Sequence, residues 1–176
     1  TCELMTSYRS SPEITAVFTT LMKRDEGMSV SSVRRPGHTV KFKECLDDET
    51  YFAALEGALE SGRNEGGLCA VIAGNGRRTR WLDRKLRDRM GELAPRLMDG
   101  KGRLPESGCV LLDLKLAKGL EFDRVIVADA QAEEYGEDEL SKHRLYTAIS
   151  RATQHLTLVS QGKMTPLLDE ARSNGN

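Results

Sequence analysis

Three short segments combine charged and aromatic residues that could do chemistry, and they are unusual when taken together. Tyr8-Arg9-Ser10 sets an aromatic ring beside a guanidinium just before a predicted helix. Residues 118–122, with the sequence KGLEF, form a charged loop between two apolar runs, and residues 146–152, with the sequence YTAISRA, end a predicted helix. Each segment also has a structural interpretation, as an ion pair, a tether for a turn or a charge that neutralises a helix C-terminus.

The sequence lacks the motifs that are typical of several other kinds of catalytic or binding site. The sequence contains no GxxxxGK[ST] phosphate loop, no HExxH zinc motif and no GxSxG nucleophile motif. Gly74-Asn75-Gly76 is only a fragment of a dinucleotide fingerprint, and it predicts a turn. The four cysteines are scattered, and Cys69 and Cys109 lie in apolar runs, so both are expected to be buried thiols. The sequence predicts no metal site, because the histidines are also far apart: His38, His143 and His155.

The three segments lie among apolar and amphipathic stretches that predict the strands and helices holding them in place. Short apolar runs at residues 39–42, 68–73, 109–114, 124–130 and 155–159 predict strands. Four of the runs are almost continuously apolar, as a parallel sheet covered on both faces requires. Apolar residues at three-four spacing predict helices around residues 12–22, 52–59, 82–90 and 145–152. This alternation predicts a single α/β domain over residues 1–176, with surface loops at residues 24–38 and 91–108, the second an insertion.

Composition limits the classes of function. The chain has 176 residues, of which 39% are hydrophobic and 30% charged, enough apolar material for a sizeable core. The formal net charge is -1, so any nucleic-acid contact must be local. No apolar stretch approaches the roughly 20 residues needed to cross a bilayer, so we expect a cytoplasmic protein without a membrane partner. One dense basic cluster fits either a solvated helix face or contact with a nucleic-acid backbone: Arg77, Arg78, Arg80, Arg84, Lys85, Arg87 and Arg89.

Taken in order on an α/β scaffold, the three segments resemble motifs IV, V and VI of the second RecA-like motor domain of superfamily 1 helicases of the UvrD, Rep and PcrA type. The resemblance covers about residues 4–160. It implies a RecA-like three-layer α/β/α fold with a mainly parallel central sheet. The short stretch between the basic helix and the motif V strand is more similar to the HelD, helicase IV-like branch. Because the chain begins without methionine and ends in a polar tail, we expect a fragment of a longer protein.

The resemblance also implies roles for individual residues. In the family, ATP with Mg²⁺ lies between two RecA-like domains, and the first domain, with the phosphate loop and the magnesium ligands, is missing from this sequence. Tyr8 would stack on the adenine. Arg9 and Arg151 would contact the γ-phosphate as arginine fingers, and Glu121 would accept hydrogen bonds from the ribose hydroxyls. Two further residues would shape the loop that links the nucleotide to the DNA: Lys118 and Gly119.

The expected DNA contacts depart from the family pattern. The motif V strand usually carries a Thr and a His that touch single-stranded DNA, and here those places hold Asp113 and Lys115. A lysine can still meet a phosphate, whereas an aspartate repels one. Trp81 and Tyr135 are the best candidates for stacking on bases, and Trp81 could equally belong to the core. Arg144, two helical turns before the motif VI arginine, could orient that arginine or form a surface salt bridge.

Three hypotheses of function follow. The first is the C-terminal motor domain of an ATP-dependent DNA helicase or translocase, which would be inactive alone. Its partners would be ATP, single-stranded DNA or a DNA duplex junction, and the missing N-terminal RecA-like domain. The second is part of a HelD-like ATPase that remodels RNA polymerase, mainly through protein binding. The third is a stand-alone regulatory α/β module in which Arg9 and Arg151 are dispensable.

Overall fold

The computed structural model describes residues 39–174. Tyr8, Arg9, the predicted helix at residues 12–22 and the predicted loop at residues 24–38 lie outside the described residues. Strands and helices alternate along the described chain: β1 Thr39–Cys45, α1 Asp48–Glu65, β2 Leu68–Ala73, α2 Gly76–Met90, β3 Arg96–Leu97, β4 Gly108–Asp113, α3 Leu114–Ala117, β5 Phe122–Val127, α4 Glu139–Ile149, β6 Ala152–Gln161 and α5 Asp169–Asn174. The five predicted strands and the three predicted helices within this range are confirmed.

The described strands form one six-stranded sheet in the order β1-β6-β5-β2-β4-β3. Every pairing between these strands is parallel. Parallel strands that follow one another in the chain must be joined by crossover connections, and helices form these connections here. The prediction of an α/β domain with a mainly parallel sheet is therefore confirmed.

The sheet separates two hydrophobic clusters, because successive side chains of a strand point to opposite faces. In β2, Val71 packs in the cluster under α1 and α2, whereas Ala70 and Ile72 pack in the cluster under α3, α4 and α5. The predicted apolar positions of α1 are buried at the first cluster: Phe52, Leu55 and Leu59. The result is a three-layer α/β/α arrangement.

The helices that connect the strands begin at residues whose side chains cap the helix N-terminus. Asp47 accepts a hydrogen bond from the Thr50 amide at 2.8 Å, and Asn75 accepts one from the Arg78 amide at 2.8 Å. Asp138 does the same for the start of α4. A cap of this kind satisfies one of the four amides that a helix N-terminus leaves without an intrahelical partner.

The segment at residues 91–108 is more structured than a plain loop. Gly91–Leu93 form one 3₁₀ turn, and Arg96–Leu97 form β3, which pairs with β4. The prediction missed β3 because two residues carry no periodicity. Among residues 39–174, no helix is long and apolar enough to cross a membrane.

Candidate nucleotide and nucleic-acid sites

The two predicted motifs in the described chain meet where β5 and β6 begin, at what we call the amino edge of the sheet. β5 and β6 are parallel neighbours, and their first residues, Phe122 and Ala152, are register partners. The Phe122 amide donates to the Arg151 carbonyl at 2.9 Å. Residues 118–122 and 146–152, which lie 24 or more positions apart in sequence, are therefore in direct contact.

Arg151 lies at the junction between α4 and β6. Its side chain donates to the Leu120 carbonyl at 3.2 Å and to the Ser150 hydroxyl at 3.1 Å. Its Nε is buried and has no hydrogen-bond partner. Among residues 39–174, no carboxylate pairs with this guanidinium, so its positive charge meets only neutral acceptors within that range. A cation held in this way keeps its capacity to bind a phosphate.

The loop before β5 is a tight turn that brings its charged residues to the same edge. The Leu120 amide donates to the Ala117 carbonyl at 3.0 Å, and Gly119 has φ of 82°. L-residues with a side chain rarely adopt this left-handed conformation, which explains the glycine. The side chains of Lys118 and Glu121 on either side of the turn are exposed.

A second polar group, which the sequence analysis did not identify, lies at the opposite end of the strands. We call it the carboxyl-edge cluster: Gly74, Arg78, Asp129, Glu134 and Arg144. Asp129 is fully buried, and one of its oxygens accepts from the Gly74 amide at 2.7 Å. The same oxygen lies 3.8 Å from Arg78 Nε, while the other oxygen has no hydrogen-bond partner. Burial raises the pKa of Asp129 to about 6, against the lowering effect of the Gly74 amide.

Arg144 joins the β2–α2 loop to the segment that follows β5. Its side chain donates to the Gly74 carbonyl at 2.9 Å and to the Glu134 carboxylate at 3.0 Å. A Cβ at Gly74 would lie 2.5 Å from a Glu134 oxygen, so a residue with a side chain at this position would displace the Glu134 carboxylate. Arg78 is bound in the same region, since it donates to Gln161 Oε1 at 3.0 Å and to the Tyr51 hydroxyl at 3.1 Å.

An open cavity of about 450 Å³ lies beside this cluster. Its lining combines guanidinium groups, one indole and polar side chains: Asn75, Arg77, Arg78, Trp81, Arg84 and Glu134. Arg77 and Arg84 are exposed, and neither forms a hydrogen bond or an ion pair with the described residues. The cavity therefore offers uncompensated positive charge beside an aromatic ring.

Comparison with known proteins found two similarities. Residues 108–159 match the UvrD-like helicase C-terminal domain. The chain is also similar to a solved structure described as the C-terminal domain of a possible DNA helicase from Lactobacillus plantarum WCFS1, with 28% identity, a TM-score of 0.74 and 92% of each chain covered. No curated protein matches the chain. The RecA-like fold expected from the resemblance agrees with these matches, which do not single out the HelD branch.

The matched helicase range contains the amino-edge residues and the whole of α4. It also contains Asp113 and Lys115, which the structure places at the end of β4, away from Arg151. Asp113 is the N-cap of α3 and accepts from the Leu116 amide at 2.9 Å, so it has a structural function whatever else it contacts. Lys115 is exposed in the first turn of α3. Lys118 is the C-cap residue of the same short helix, three positions after Lys115.

Two expectations about the helicase-like domain are wrong. Tyr135 is fully buried, with the Arg144 guanidinium 5.0 Å from its ring centroid, so this ring cannot stack on a nucleic-acid base. Arg144 does not contact Arg151, because its hydrogen bonds go to the carboxyl-edge cluster. The alternative prediction of a salt bridge for Arg144 is confirmed, although the pair is largely buried. Trp81 is half-buried against Phe52, and it also borders the cavity.

Proposed function

We propose that this chain is the second motor domain of an ATP-dependent DNA helicase or translocase. The observation that carries the proposal is the contact between Arg151 and Leu120, which joins the two motif-bearing segments within the range that matches the UvrD-like helicase C-terminal domain. A domain of this kind completes an ATP site whose other half belongs to a first RecA-like domain. Closure of the two domains on ATP, and their opening after hydrolysis, would drive movement along a strand.

Three residues of the amino edge have chemistry that suits the proposed nucleotide site. Arg151 would leave its neutral acceptors and bind the γ-phosphate, where a planar guanidinium neutralises the charge that spreads in the transition state. Glu121, exposed beside the turn, would accept from the ribose hydroxyls. Lys118 would contribute positive charge at the same edge. Tyr8 and Arg9, outside the described residues, would add the adenine stack and a second arginine finger, and Mg²⁺ would be held by the first domain.

The carboxyl edge has the chemistry for the nucleic-acid contact. Arg77 and Arg84 are free to neutralise phosphates, and Trp81 offers part of an indole face beside them. Phosphate contacts of this type are independent of base sequence, and base stacking tolerates any base. We therefore propose that single-stranded DNA follows the cavity between α2 and the segment that carries Glu134, with Lys115 as a further phosphate contact.

The test of the nucleotide site is DNA-stimulated ATP turnover of the full-length protein that contains the first motor domain. Arg151→Ala should lower turnover by about a thousandfold or more, as expected for the loss of an arginine finger. Arg151→Lys should remain strongly impaired, because an ammonium cannot bind two phosphate oxygens in one plane. Arg103→Ala, which removes an exposed arginine from the loop at residues 91–108, is the matched control. Unchanged turnover in Arg151→Ala, in a protein that folds normally, would show that the residue is structural.

The test of the nucleic-acid contact is the salt dependence of binding to a labelled single-stranded oligonucleotide. Each lost phosphate contact reduces the slope of log K against log salt concentration by about 0.7. The double variant Arg77→Ala, Arg84→Ala should therefore bind more weakly and have a slope smaller by about 1.4. Arg87→Ala is the control on the same helix, because Arg87 already pairs with Asp83 at 2.9 Å and does not line the cavity. Equal slopes for the double variant and the unmodified protein would contradict the proposal.

A further inference from the structure

Cys69 and Cys109 form a pair of neighbouring thiols on the face of the sheet that α1 covers. They are register partners on the parallel strands β2 and β4. Adjacent strands lie about 4.8 Å apart, which is within the range of Cα separations that a disulfide spans. Both side chains belong to the same hydrophobic cluster, so they point to the same face. Both are free thiols.

The two sulfurs differ in access. Cys69 is 1% exposed, and its Sγ is so tightly surrounded that a Cβ at Gly62 would approach it to 3.1 Å. Cys109 is only half-buried, next to the exposed Gly108, where β4 begins, and its Sγ lies 3.8 Å from the Leu59 carbonyl. The sequence had predicted two buried thiols, and the structure shows that one of them is only partly buried.

The charges around the pair favour a thiolate on Cys109. The hydrogen bond with the Cys69 thiol lowers the pKa of Cys109, and the guanidinium groups of Arg63 and Arg124 act in the same direction. The hydrogen bond with Cys109, together with burial, raises the pKa of Cys69. Burial and the hydrogen bond that the Cys109 thiol donates to the Leu59 carbonyl oppose this effect, as does Glu65, which binds Arg124 at 2.6 Å. The lowered pKa and the partial exposure both make Cys109 the more reactive thiol of the pair.

We propose that Cys109 and Cys69 form a reactive dithiol that a hydroperoxide oxidises to an intramolecular disulfide. The Cys109 thiolate attacks a peroxide oxygen, the O–O bond breaks, and the departing oxygen takes up a proton to leave as an alcohol or water. Cys109 is then a sulfenic acid. Cys69 loses its proton and attacks that sulfur, which forms the S–S bond and releases the hydroxyl group as water. The two thiols lose two electrons together, and the peroxide gains them. This inference is independent of the proposed motor function.

The first measurement is the alkylation rate of each cysteine by iodoacetamide, from about pH 6 to about pH 9, read by peptide mass spectrometry. The rate at Cys109 should have a midpoint below the ordinary thiol pKa of about 8.5. At neutral pH it should exceed the rate at Cys45 by about tenfold or more, because Cys45 is buried and burial raises its pKa. Arg63→Gln should move the midpoint upward. A midpoint at or above about 8.5, or equal rates at the two cysteines, would overturn the proposal.

The second measurement is a non-reducing peptide map of the whole chain after treatment with hydrogen peroxide. The expected product is a linked pair of peptides containing Cys69 and Cys109, lighter by two hydrogens than the free thiol peptides. Cys69→Ser should leave a sulfenic acid on Cys109 that dimedone captures, and Cys69→Ala repeats the test where the buried serine hydroxyl disturbs folding. The map of the unmodified protein needs neither variant. Oxidation spread evenly over Cys45 and Cys109, or a sulfenic acid that persists with Cys69 present, would refute the resolving role of Cys69.

Discussion

Replacing the buried carboxylate of the carboxyl-edge cluster should change how the stability of the domain depends on pH. Asp129 is fully buried, and burial raises its pKa from the ordinary 3.8 to about 6. A raised pKa means that the folded protein binds a proton more readily than the unfolded chain does. The stabilisation is therefore complete below about pH 4, and it is lost as the pH rises through about 6.

The magnitude follows from the pKa difference of about 2. Each pKa unit corresponds to about 1.36 kcal/mol, so the unmodified protein should lose about 3 kcal/mol of unfolding free energy at this site between about pH 4 and about pH 7. Asp129→Asn keeps an oxygen for the Gly74 amide and cannot ionise. The variant should lack this loss, and its stability relative to the unmodified protein should rise by about 3 kcal/mol over the same range.

Urea unfolding followed by circular dichroism, at several pH values, measures the difference between the two proteins. Asp138→Asn serves as a control of opposite sign. Hydrogen bonds from Ser141 lower the pKa of Asp138, so its stabilisation is present at neutral pH and is lost on acidification. A difference between Asp129→Asn and the unmodified protein that does not change with pH would refute the reasoning. It would show that Arg78 and Arg144 compensate the buried charge fully.

The remaining predictions concern glycines and a cap. Gly62→Ala should destabilise the domain by about 1–3 kcal/mol, because the new methyl group would meet Cys69 Sγ at 3.1 Å within a packed core. Gly57→Ala, in the same helix with nothing within 4 Å, should instead stabilise it by up to about 1 kcal/mol, and thermal unfolding distinguishes the two outcomes. Asn75→Ala should cost about 1 kcal/mol, because it removes the acceptor for the Arg78 amide, and Asn75→Gly should cost less. Equal effects of the two substitutions at Asn75 would contradict its assignment as a cap.

The sequence predicted the layers of the fold well because the layers depend on local patterns. In a near-continuous apolar run such as residues 68–73, apolar side chains point to both faces of the sheet. They are all buried only if helices cover both faces, as in a parallel α/β sheet. The spacing of Phe52, Leu55 and Leu59 similarly predicts one buried helix face, which the structure confirms. β3 was not predicted, because a strand of two residues has no periodic pattern. Only its pairing with β4, which is a tertiary contact, identifies it as a strand.

The sequence was less informative about which polar groups meet. Nothing in the local pattern indicates that Asp129 is buried beneath Gly74, since that contact joins two loops separated by 55 positions. Tyr135 was predicted as a stacking surface because aromatic residues are few, and tertiary packing buries it completely. Knowledge of the strand order would have predicted this contact. The loops that follow β2 and β5 must lie side by side, because those two strands pair.

The arginines cannot be distinguished in the sequence, but in the structure they form two groups that differ in their internal partners. Arg78 and Arg144 are bound to carboxylates and carbonyls of the carboxyl-edge cluster, so neither can bind a phosphate without breaking an internal contact. Arg77 and Arg84 have no such partner among residues 39–174, and Arg151 has only neutral acceptors there. A phosphate gains most where the guanidinium charge is not already satisfied. Arg77 and Arg84 lie beside the carboxyl-edge cluster and Arg151 lies at the amino edge, which fits the proposed separation of the DNA contact from the nucleotide contact.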